Sequence, residues 1–301
     1  MIYFNNLLQK GNKILIFGKN GQLGMSFNAY LGNNPNVLQL SSKEVDFLKP
    51  YHIPKIVKDF RPNIIINTSA YTNVEQAEVD KEKAYLINGE AVRIIAESAK
   101  MLNSVFIHYS TDYIFDGKTK SKYKPKDRPN PLNIYGKSKL KGEQYIFKSD
   151  CNFIIFRISW LMSEYGENFL KKIIRKIKNG ENLFVINEQF GSPISSKLVT
   201  EITAKTLLLN DNLIYKKVFH LSTKGSVSWY DIASYIFEKI KTPRHSLKIT
   251  PIKSDKFESN VARPKNSLFD HSDIEKVLNE KLPFWKDDIT PIIKNLFNNI
   301  K

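Results

Sequence analysis

The sequence predicts an α/β protein built on a doubly wound parallel sheet, with a smaller α/β lobe toward its C-terminal end. Three observations predict this fold class. Short apolar runs alternate with helical patterns through the first half of the chain, a glycine-rich turn follows the first run, and the pattern becomes more mixed after about residue 160. The runs typical of buried parallel strands occupy residues 13–17, 37–40, 64–67, 105–108 and 153–158.

Length and composition are those of an ordinary globular protein. The 301 residues suffice for one large or two moderate domains, and 42% of them are apolar and 25% charged. The single cysteine, Cys151, excludes an intrachain disulfide framework and favours a reducing cytoplasm. No apolar run reaches about 18 residues, so we expect no membrane span. Residues 1–12 lack the pattern of a signal peptide, and we expect a short extension before the first strand.

The net charge of +16 raises the question of an anionic partner. The lysines are spread along the chain, with short clusters at 118–126 and 171–178 and no long basic arm. We therefore expect no nucleic-acid partner, whereas a small substrate that carries phosphate would benefit from the positive field.

The change of pattern in the second half predicts two units. We expect a dinucleotide-binding domain over residues 13–160, and a mainly substrate-binding lobe over residues 161–301. A short strand near 218–221 is expected to return to the first sheet. Because ligands of open α/β sheets bind beyond the carboxyl ends of the strands, the cleft between the two units is the expected substrate site.

A glycine-rich turn directly follows the first predicted strand. Gly18, Gly21 and Gly24 are spaced by three, and a helical segment begins within the turn. Glycines allow a tight turn and a close approach of the backbone to a pyrophosphate, while the helix N-terminus supplies amide donors. In this context of strand, turn and helix, the motif predicts a Rossmann-type dinucleotide site.

The end of the second strand bears on the choice of dinucleotide. An acidic residue often holds the adenine ribose there, but this chain has Ser41, Ser42 and Lys43. Without a carboxylate there is no repulsion against a 2′-phosphate, and Lys43 could attract one. The sequence thus favours NADPH over NADH, although a solvated loop is an equally ordinary explanation of these residues.

Hydroxyl groups follow two other strands. Small residues at 68–72 follow the third strand and could lie against a cofactor. Ser110 and Thr111 follow the strand at 105–108, at the sheet edge where ligands bind. They are placed for chemistry, but Ser and Thr also cap turns without any catalytic role.

The segment 134–143 places Tyr135 and Lys139 four residues apart on a predicted helix. Positions i and i+4 share a helix face, so the phenol and the ammonium point into the same space. An adjacent ammonium favours the phenolate and would lower the pKa of the tyrosine, which then becomes a usable acid or base near neutral pH. Most such pairs, taken alone, are a helix surface with a solvated lysine.

Taken together, these motifs resemble the extended short-chain dehydrogenase/reductase family, and within it the reductases of dTDP-linked 4-keto-6-deoxy sugars. The resembling segments run in order over most of the chain, and only the first twelve residues fall outside them. They are FGKNGQLG (17–24), NTSAYTNVEQAE (67–78), HYSTDYIFDG (108–117), PLNIYGKSKLKGE (131–143), FRISWL (156–161), ENF (167–169), VINEQFGSP (185–193) and ARPKNS (262–267).

The resemblance implies roles for particular residues. Tyr135 would protonate the developing C4 alkoxide as NADPH delivers hydride, Lys139 would hold the nicotinamide ribose, and Thr111 would bond to the substrate oxygen. The implied cofactor-binding residues are Gly18, Gly21, Gln22, Leu23, Gly24, Asp46, Phe47, Ala70, Tyr71, Thr72, Tyr135 and Lys139. The implied substrate-binding residues are Thr111, Asp112, Trp160, Asn168, Gln189 and Arg263.

Several alternatives remain open at this level. The scaffold could serve another nucleotide-sugar reductase or epimerase, or a non-catalytic NADP-binding regulatory subunit. NADH remains the alternative cofactor and a homodimer the expected assembly, if any. Some relatives hold Mg²⁺ between subunits through carboxylates; Ser26 stands where an acidic residue would lie, so we expect no metal site.

Overall fold

The computed structural model describes residues 2–209, 214–240, 247–256, 259 and 261–299. The predicted α/β class is confirmed, because helices cover both faces of a parallel sheet. The helices are α1 (Ile2–Gln9), α2 (Gln22–Leu31), α3 (Ile53–Phe60), α4 (Val74–Val79), α5 (Lys81–Tyr85), α6 (Ala91–Leu102), α7 (Ile134–Ser149), α8 (Phe169–Asn179), α9 (Ser196–Leu209), α10 (Trp229–Ile240), α11 (Ser272–Leu278) and α12 (Trp285–Asn299).

Over the described residues, six parallel strands form the central sheet. They are β1 (Ile14–Phe17), β2 (Val37–Leu40), β3 (Ile64–Asn67), β4 (Val105–Thr111), β5 (Asn152–Ile158) and, much later in the chain, β10 (Lys217–Leu221), and the order across the sheet is β10-β5-β4-β3-β1-β2. β1, β3 and most of β4 and β5 are fully buried, as expected of apolar strands covered on both faces. The strand order reverses between β1 and β3, which is where such sheets bind ligands.

β4 is three residues longer than its apolar run predicts. His108, Tyr109, Ser110 and Thr111 all pair with β5, in register with residues 155–158, and all four are buried. Polar side chains therefore lie inside the sheet edge rather than in a loop after it. This extension holds Thr111 rigidly where a ligand would be expected.

The first residues form helix α1 rather than an unstructured extension. Phe4 and Leu7 are buried, and Phe4 packs edge-on against Phe27 of α2 at a ring distance of 5.7 Å. The helix also packs on α9. Apolar residues at helical spacing therefore make α1 part of the main core.

A π turn at Leu86–Glu90 separates α5 from α6. The turn buries Asn88. Asn88 Oδ1 accepts a hydrogen bond from the backbone N–H of Tyr71, and Asn88 Nδ2 donates to the Tyr71 carbonyl and to the Ser138 hydroxyl of α7. An extra residue in the helix thus fixes the segment after β3 against the helix that carries Tyr135.

The second lobe has its own apolar core. α8, α10 and α12 pack together over a pair of short parallel strands, β7 (Leu183–Ile186) and β12 (Ile249–Ile252). The remaining strands of the described chain are two-residue pairs: β6 (Leu161–Met162) with β9 (Ile194–Ser195), and β8 (Phe190–Gly191) with β11 (Val227–Ser228). The lobe lies at the carboxyl edge of the sheet, where it covers the cleft.

A buried ion pair links α7 to β5. Arg157 donates two hydrogen bonds to the Glu143 carboxylate, at 3.0 and 2.7 Å, and a third to the Pro125 carbonyl at 2.9 Å. The two side chains are 4% and 0% exposed. The pair therefore fixes both α7 and the polar loop that precedes it.

Replacing Arg157 with methionine is expected to lower the free energy of unfolding by about 3–5 kcal/mol, because the buried Glu143 charge loses its partner. The measurement is urea unfolding at neutral pH. The matched control is Arg175→Met, which removes a bidentate ion pair with Glu167 on an exposed surface. This change should lower the free energy of unfolding by less than about 1 kcal/mol. Equal losses in the two variants would contradict this account.

Candidate active site

A cleft of about 730 Å³ opens at the carboxyl ends of β1, β3 and β4 and extends under the second lobe. Most of the predicted site residues line it. They are Gly18, Gly21, Gln22, Leu23, Asp46, Phe47, Ala70, Thr72, Thr111, Asp112, Tyr135, Lys139, Trp160 and Arg263. Residues far apart in the sequence thus form one continuous site.

The glycine turn is packed too tightly for side chains. A Cβ on Gly24 would lie 2.1 Å from the Gly18 carbonyl oxygen, and Gly18 itself has a φ of +93°. Gly24 does not line the cleft; its role is to let α2 start directly against the turn. The free N-terminus of α2 then faces the cleft, a geometry that fits the phosphates of a dinucleotide.

The end of the second strand differs from its sequence-based interpretation. Ser41 and Ser42 line the cleft, but the Glu44 carboxylate accepts hydrogen bonds from the Ser41 backbone and hydroxyl, and Lys19 pairs with it. These bonds lower the Glu44 pKa to about 2. A carboxylate is therefore present after the second strand, three residues beyond Ser41, although Glu44 itself does not line the cleft.

Three oxygen-bearing side chains meet in the middle of the cleft. Thr111 donates to Asp112 Oδ1 at 3.1 Å, and Tyr135 lies within hydrogen-bonding reach of Thr111. The ring of Tyr113 packs edge-on against that of Tyr135 at 5.4 Å. A carbonyl oxygen placed between Thr111 and Tyr135 would face the phenol O–H of Tyr135 and the Thr111 hydroxyl, whose single proton would turn from Asp112 to donate to it. Two such donors suit the stabilisation of a developing oxyanion.

Burial raises the pKa of Tyr135 above its usual range, with the hydrogen bond to Thr111 only partly opposing it. The sequence predicted the opposite direction, from an ammonium next to the phenol. The phenol is therefore fully protonated at neutral pH in the protein without ligands. The phenol can donate a proton, but it is not ionised at neutral pH and so is not available as a base.

Lys139 is 2% exposed and lies one helical turn after Tyr135. Its Nζ donates to the Tyr109 carbonyl at 2.6 Å and lies 3.3 Å from His108 Nε2. Burial lowers the Lys139 pKa to about 8, and Glu143 partly opposes that shift. Its hydrogen bonds direct it toward the β4 backbone at the floor of the cleft.

Asp112 is buried, and its Oδ2 has no hydrogen-bond partner. Burial raises its pKa to about 6, against partial compensation from Ser267 and Thr111. Between the unfolded value near 4 and the folded value near 6, the folded protein holds more protons than the unfolded chain. Stability due to this group is therefore lost as the pH rises through that window.

Asp112→Asn is expected to gain about 2 kcal/mol of stability relative to the wild type between pH 4.5 and pH 7.5, because the neutral amide has no charge to desolvate. Urea unfolding at the two pH values measures it. Asp150→Asn is the control: its pKa is lowered to about 2 by Lys216 and Lys100, so its titration lies below this range. A pH-independent difference for Asp112→Asn would show that the carboxyl is not desolvated.

Two tryptophans line the far wall of the cleft. The rings of Trp160 and Trp229 are stacked at 3.7 Å with an angle of 14° between them. Gly191 makes room for Trp160, since a Cβ there would lie 2.6 Å from the indole. Trp229 also donates from Nε1 to Gln189 Oε1. The stack offers a flat apolar face to a ligand.

Arg263 reaches the cleft from the second lobe. It pairs with Glu75 of α4 and donates to the Tyr113 hydroxyl at 3.3 Å, while its buried Nε has no partner. The pair crosses the cleft entrance and joins the two lobes. A free guanidinium donor there fits an anionic ligand.

Other predicted residues have structural roles away from the cleft. Tyr71 bonds to Asp80 through its hydroxyl. Asn168 caps α8 and bonds to Gln22, which does line the cleft. Gln189 acts through Trp229. Each lies next to a lining residue rather than on the wall itself.

Sequence reasoning missed three features of the site: Trp229, the Glu75 partner of Arg263, and the pair formed by His108 and Asn67. The last had a signal, since each polar residue directly follows three apolar residues, at the end of β3 and in the middle of β4. His108 and Asn67 are register partners on adjacent strands and lie directly below Lys139.

Comparison with known proteins decides the family. The sequence matches the RmlD substrate binding domain family over residues 12–298, nearly the whole chain. The chain belongs to this family. The matched range includes the glycine turn, the Tyr–Lys helix and the hydroxyl-bearing side chains of the cleft.

Several individual relatives carry the same enzyme name. The chain is 31% identical to a dTDP-4-dehydrorhamnose reductase of Burkholderia thailandensis, covering 95% of this chain and 99% of the relative. It is 33% identical to the enzyme of that name from Escherichia coli K12, covering 94% and 98%. A solved dTDP-4-dehydrorhamnose reductase of Bacillus anthracis, in complex with NADP, has a TM-score of 0.86, 31% identity and coverage of 94% and 99%.

Within the parts of the chain that the structure describes, no group of three or more His, Cys, Asp or Glu side chains is arranged to hold a metal ion. Within the same residues, no helix is long and apolar enough to cross a membrane.

Proposed function

We propose that this protein reduces dTDP-4-dehydro-L-rhamnose to dTDP-L-rhamnose with NADPH, a step that supplies nucleotide sugar for cell-surface polysaccharide. One observation carries the proposal: Thr111, Tyr135 and Lys139 meet in a single cleft with the glycine turn. The match to reductases of this name over nearly the whole chain supports the substrate, and the NADP complex of a relative supports the cofactor.

Each group of cleft residues has its own proposed role in the reaction. Bound NADPH would supply the hydride. Tyr135, held protonated by its burial, would donate a proton to the C4 oxygen of the sugar, and Thr111 would hydrogen-bond the same oxygen. Lys139 would hold the nicotinamide ribose. Gly18, Gly21, Gln22 and Leu23 would surround the pyrophosphate.

Substrate recognition falls to the wall formed by the second lobe. Trp160 presents the stacked indole face to the ligand, and Asp112 and Arg263 add a carboxyl and a guanidinium. Gln189 orients Trp229 behind the stack, and Asn168 holds Gln22 against the glycine turn. An apolar face with a few polar groups is the usual composition of a small-molecule site.

The test follows NADPH absorbance with dTDP-4-dehydro-L-rhamnose made enzymatically. We expect oxidation of NADPH by the wild type, a slower rate with NADH, and formation of dTDP-L-rhamnose. Oxidation only with another keto-sugar would replace the proposed substrate. Tight NADPH binding without oxidation by any nucleotide-linked keto-sugar would indicate a regulatory subunit instead.

The setting of the reaction is also proposed. The single cysteine and the need for NADPH support a cytoplasmic location. Assembly as a homodimer is a further proposal, and sedimentation equilibrium would test it.

A further inference from the structure

Below the floor of the cleft, a chain of buried polar groups runs from β3 through β4 to α7. Asn67 Nδ2 lies 3.3 Å from His108 Nδ1, and His108 Nε2 lies 3.3 Å from Lys139 Nζ. Asn67, His108 and Lys139 are 1%, 0% and 2% exposed, so water does not satisfy them. Every donor in this chain must therefore find an acceptor within it.

The orientation of the Asn67 amide is fixed from outside the chain. The backbone N–H of Ser69 donates to Asn67 Oδ1 at 3.0 Å. Turning the amide over would place an NH₂ group against that N–H. The amide therefore presents its NH₂ donor to His108 Nδ1, which must accept.

The tautomer of His108 follows. A neutral imidazole carries one proton, and with Nδ1 accepting, that proton is on Nε2. An imidazolium would place N–H against the Asn67 donor and is excluded by the same geometry. Burial also lowers the His108 pKa well below its usual range.

The Nε2–H bond points at Lys139 Nζ. An ammonium has three donors and no acceptor, so it would oppose this N–H at 3.3 Å. A neutral amine has a lone pair that accepts from His108, while one of its own N–H groups donates to the Tyr109 carbonyl at 2.6 Å. Only the amine avoids two donors facing each other between His108 and Lys139.

We infer that His108 is a positioning residue, which donates from Nε2 to Lys139 and stabilises the neutral amine of that lysine while the cleft holds no cofactor. The inference rests on the proposed function only in that it concerns the lysine assigned to the cofactor.

The other charges around Lys139 agree with this state. Glu143 lies one turn further along α7 and is the anion that favours an ammonium, but both its oxygens are bound by Arg157. From β4, the Tyr109 hydroxyl is directed to Thr203 and His108 is neutral. The phenol of Tyr135, on the same helix as Lys139, is protonated. Among the described contacts of Lys139, no carboxylate lacks a cationic partner, so none stabilises the ammonium form of Lys139.

The consequence concerns the acid of the reaction. In the cofactor-free protein, the neutral amine predominates above the Lys139 pKa of about 8, and a neutral amine does not stabilise the phenolate of Tyr135. Burial already raises the pKa of that phenol, so the tyrosine keeps its proton.

The tautomer can be observed directly in the cofactor-free protein. The chain has five histidines, so ¹⁵N-histidine labelling and long-range ¹H–¹⁵N correlation spectra at pH 8.5 resolve the ring nitrogens. His108→Gln assigns the His108 signals by their loss. We expect His108 with its proton on Nε2. A proton on Nδ1 would overturn the inference, because Nε2 would then accept from an ammonium.

His220 is an internal control that is expected to have the opposite tautomer to His108. It is also buried and neutral, but its Nδ1 lies 2.9 Å from the Tyr123 carbonyl oxygen and its Nε2 faces Arg157. The carbonyl only accepts, so His220 must carry its proton on Nδ1. The same spectrum should show the two tautomers side by side.

A second variant tests the link to Lys139. In Asn67→Asp, a carboxylate oxygen of the same shape faces His108 Nδ1 and should move its proton to that atom. The Lys139 signal in ¹³Cε-lysine spectra should then titrate at least about one pH unit higher than in the wild type. A Lys139 titration that shifts while His108 keeps its Nε2 proton would overturn the inference, because charge alone would explain it.

These measurements need no turnover. A failed reductase assay with the expected tautomer would reject the proposed function and leave the lysine result intact. The reverse outcome would reject only the role of His108. Should Asn67→Asp not fold, the wild-type spectrum with its His220 control still decides.

Discussion

Tyr135→Phe is expected to lower turnover by at least about a hundredfold, because it removes the only proton of that side chain that can reach the substrate oxygen. The ring and its edge-on packing with Tyr113 remain, so folding and cofactor affinity should be kept. NADPH oxidation under saturating substrate gives the rate, and fluorescence titration with NADPH gives the affinity.

Tyr145→Phe is the matched control for this experiment. Tyr145 lies on the same helix, and its ring packs beneath the Lys141 ammonium rather than in the cleft. The control should retain nearly full turnover. If Tyr135→Phe keeps a rate within a few-fold of the wild type, another group is the acid, and Thr111 and Asp112 are the next side chains to replace.

Lys139→Met is expected to weaken NADPH binding by about tenfold or more and to reduce turnover as well. Methionine has a similar length and fills the buried channel, but it cannot donate to the Tyr109 carbonyl or to a ribose hydroxyl. Calorimetric titration with NADPH measures the loss of affinity.

Lys137→Met serves as the control, because Lys137 is an exposed lysine of the same helix. It removes one positive charge near the site without removing a donor from the cleft, and its NADPH affinity should stay close to that of the wild type. Equal losses for the two lysines would mean that overall charge, rather than the buried donor, holds the cofactor.

Much of the fold was predictable because buried parallel strands carry continuous apolar runs. The strands at 37–40 and 64–67 were predicted with the bounds that the structure has. β4 was predicted to end at His108, where its apolar run ends. The strand in fact continues to Thr111, because burial against the neighbouring strand, not local composition, keeps residues 108–111 extended. The π turn at Leu86–Glu90 has no counterpart in apolar spacing and was missed for that reason.

The candidate site was predictable where a motif fixes the backbone, and less so where only a side-chain direction matters. The glycine turn and the Tyr–Lys helix lie where the spacing placed them. Tyr71, Asn168 and Gln189 belong to recognisable segments, yet each side chain bonds to a neighbour instead of facing the cleft. The pKa of Tyr135 was predicted in the wrong direction, since desolvation depends on packing that the spacing does not contain.

The position of β10 has a consequence for how this chain can be divided. The strand comes after α8 and α9, but it forms the outer edge of the first sheet against β5. A fragment that stops near residue 160 would leave the edge of β5 that faces β10 unpaired over residues 154–158, a template for aggregation. The first half should therefore not be obtainable as a well-behaved separate product.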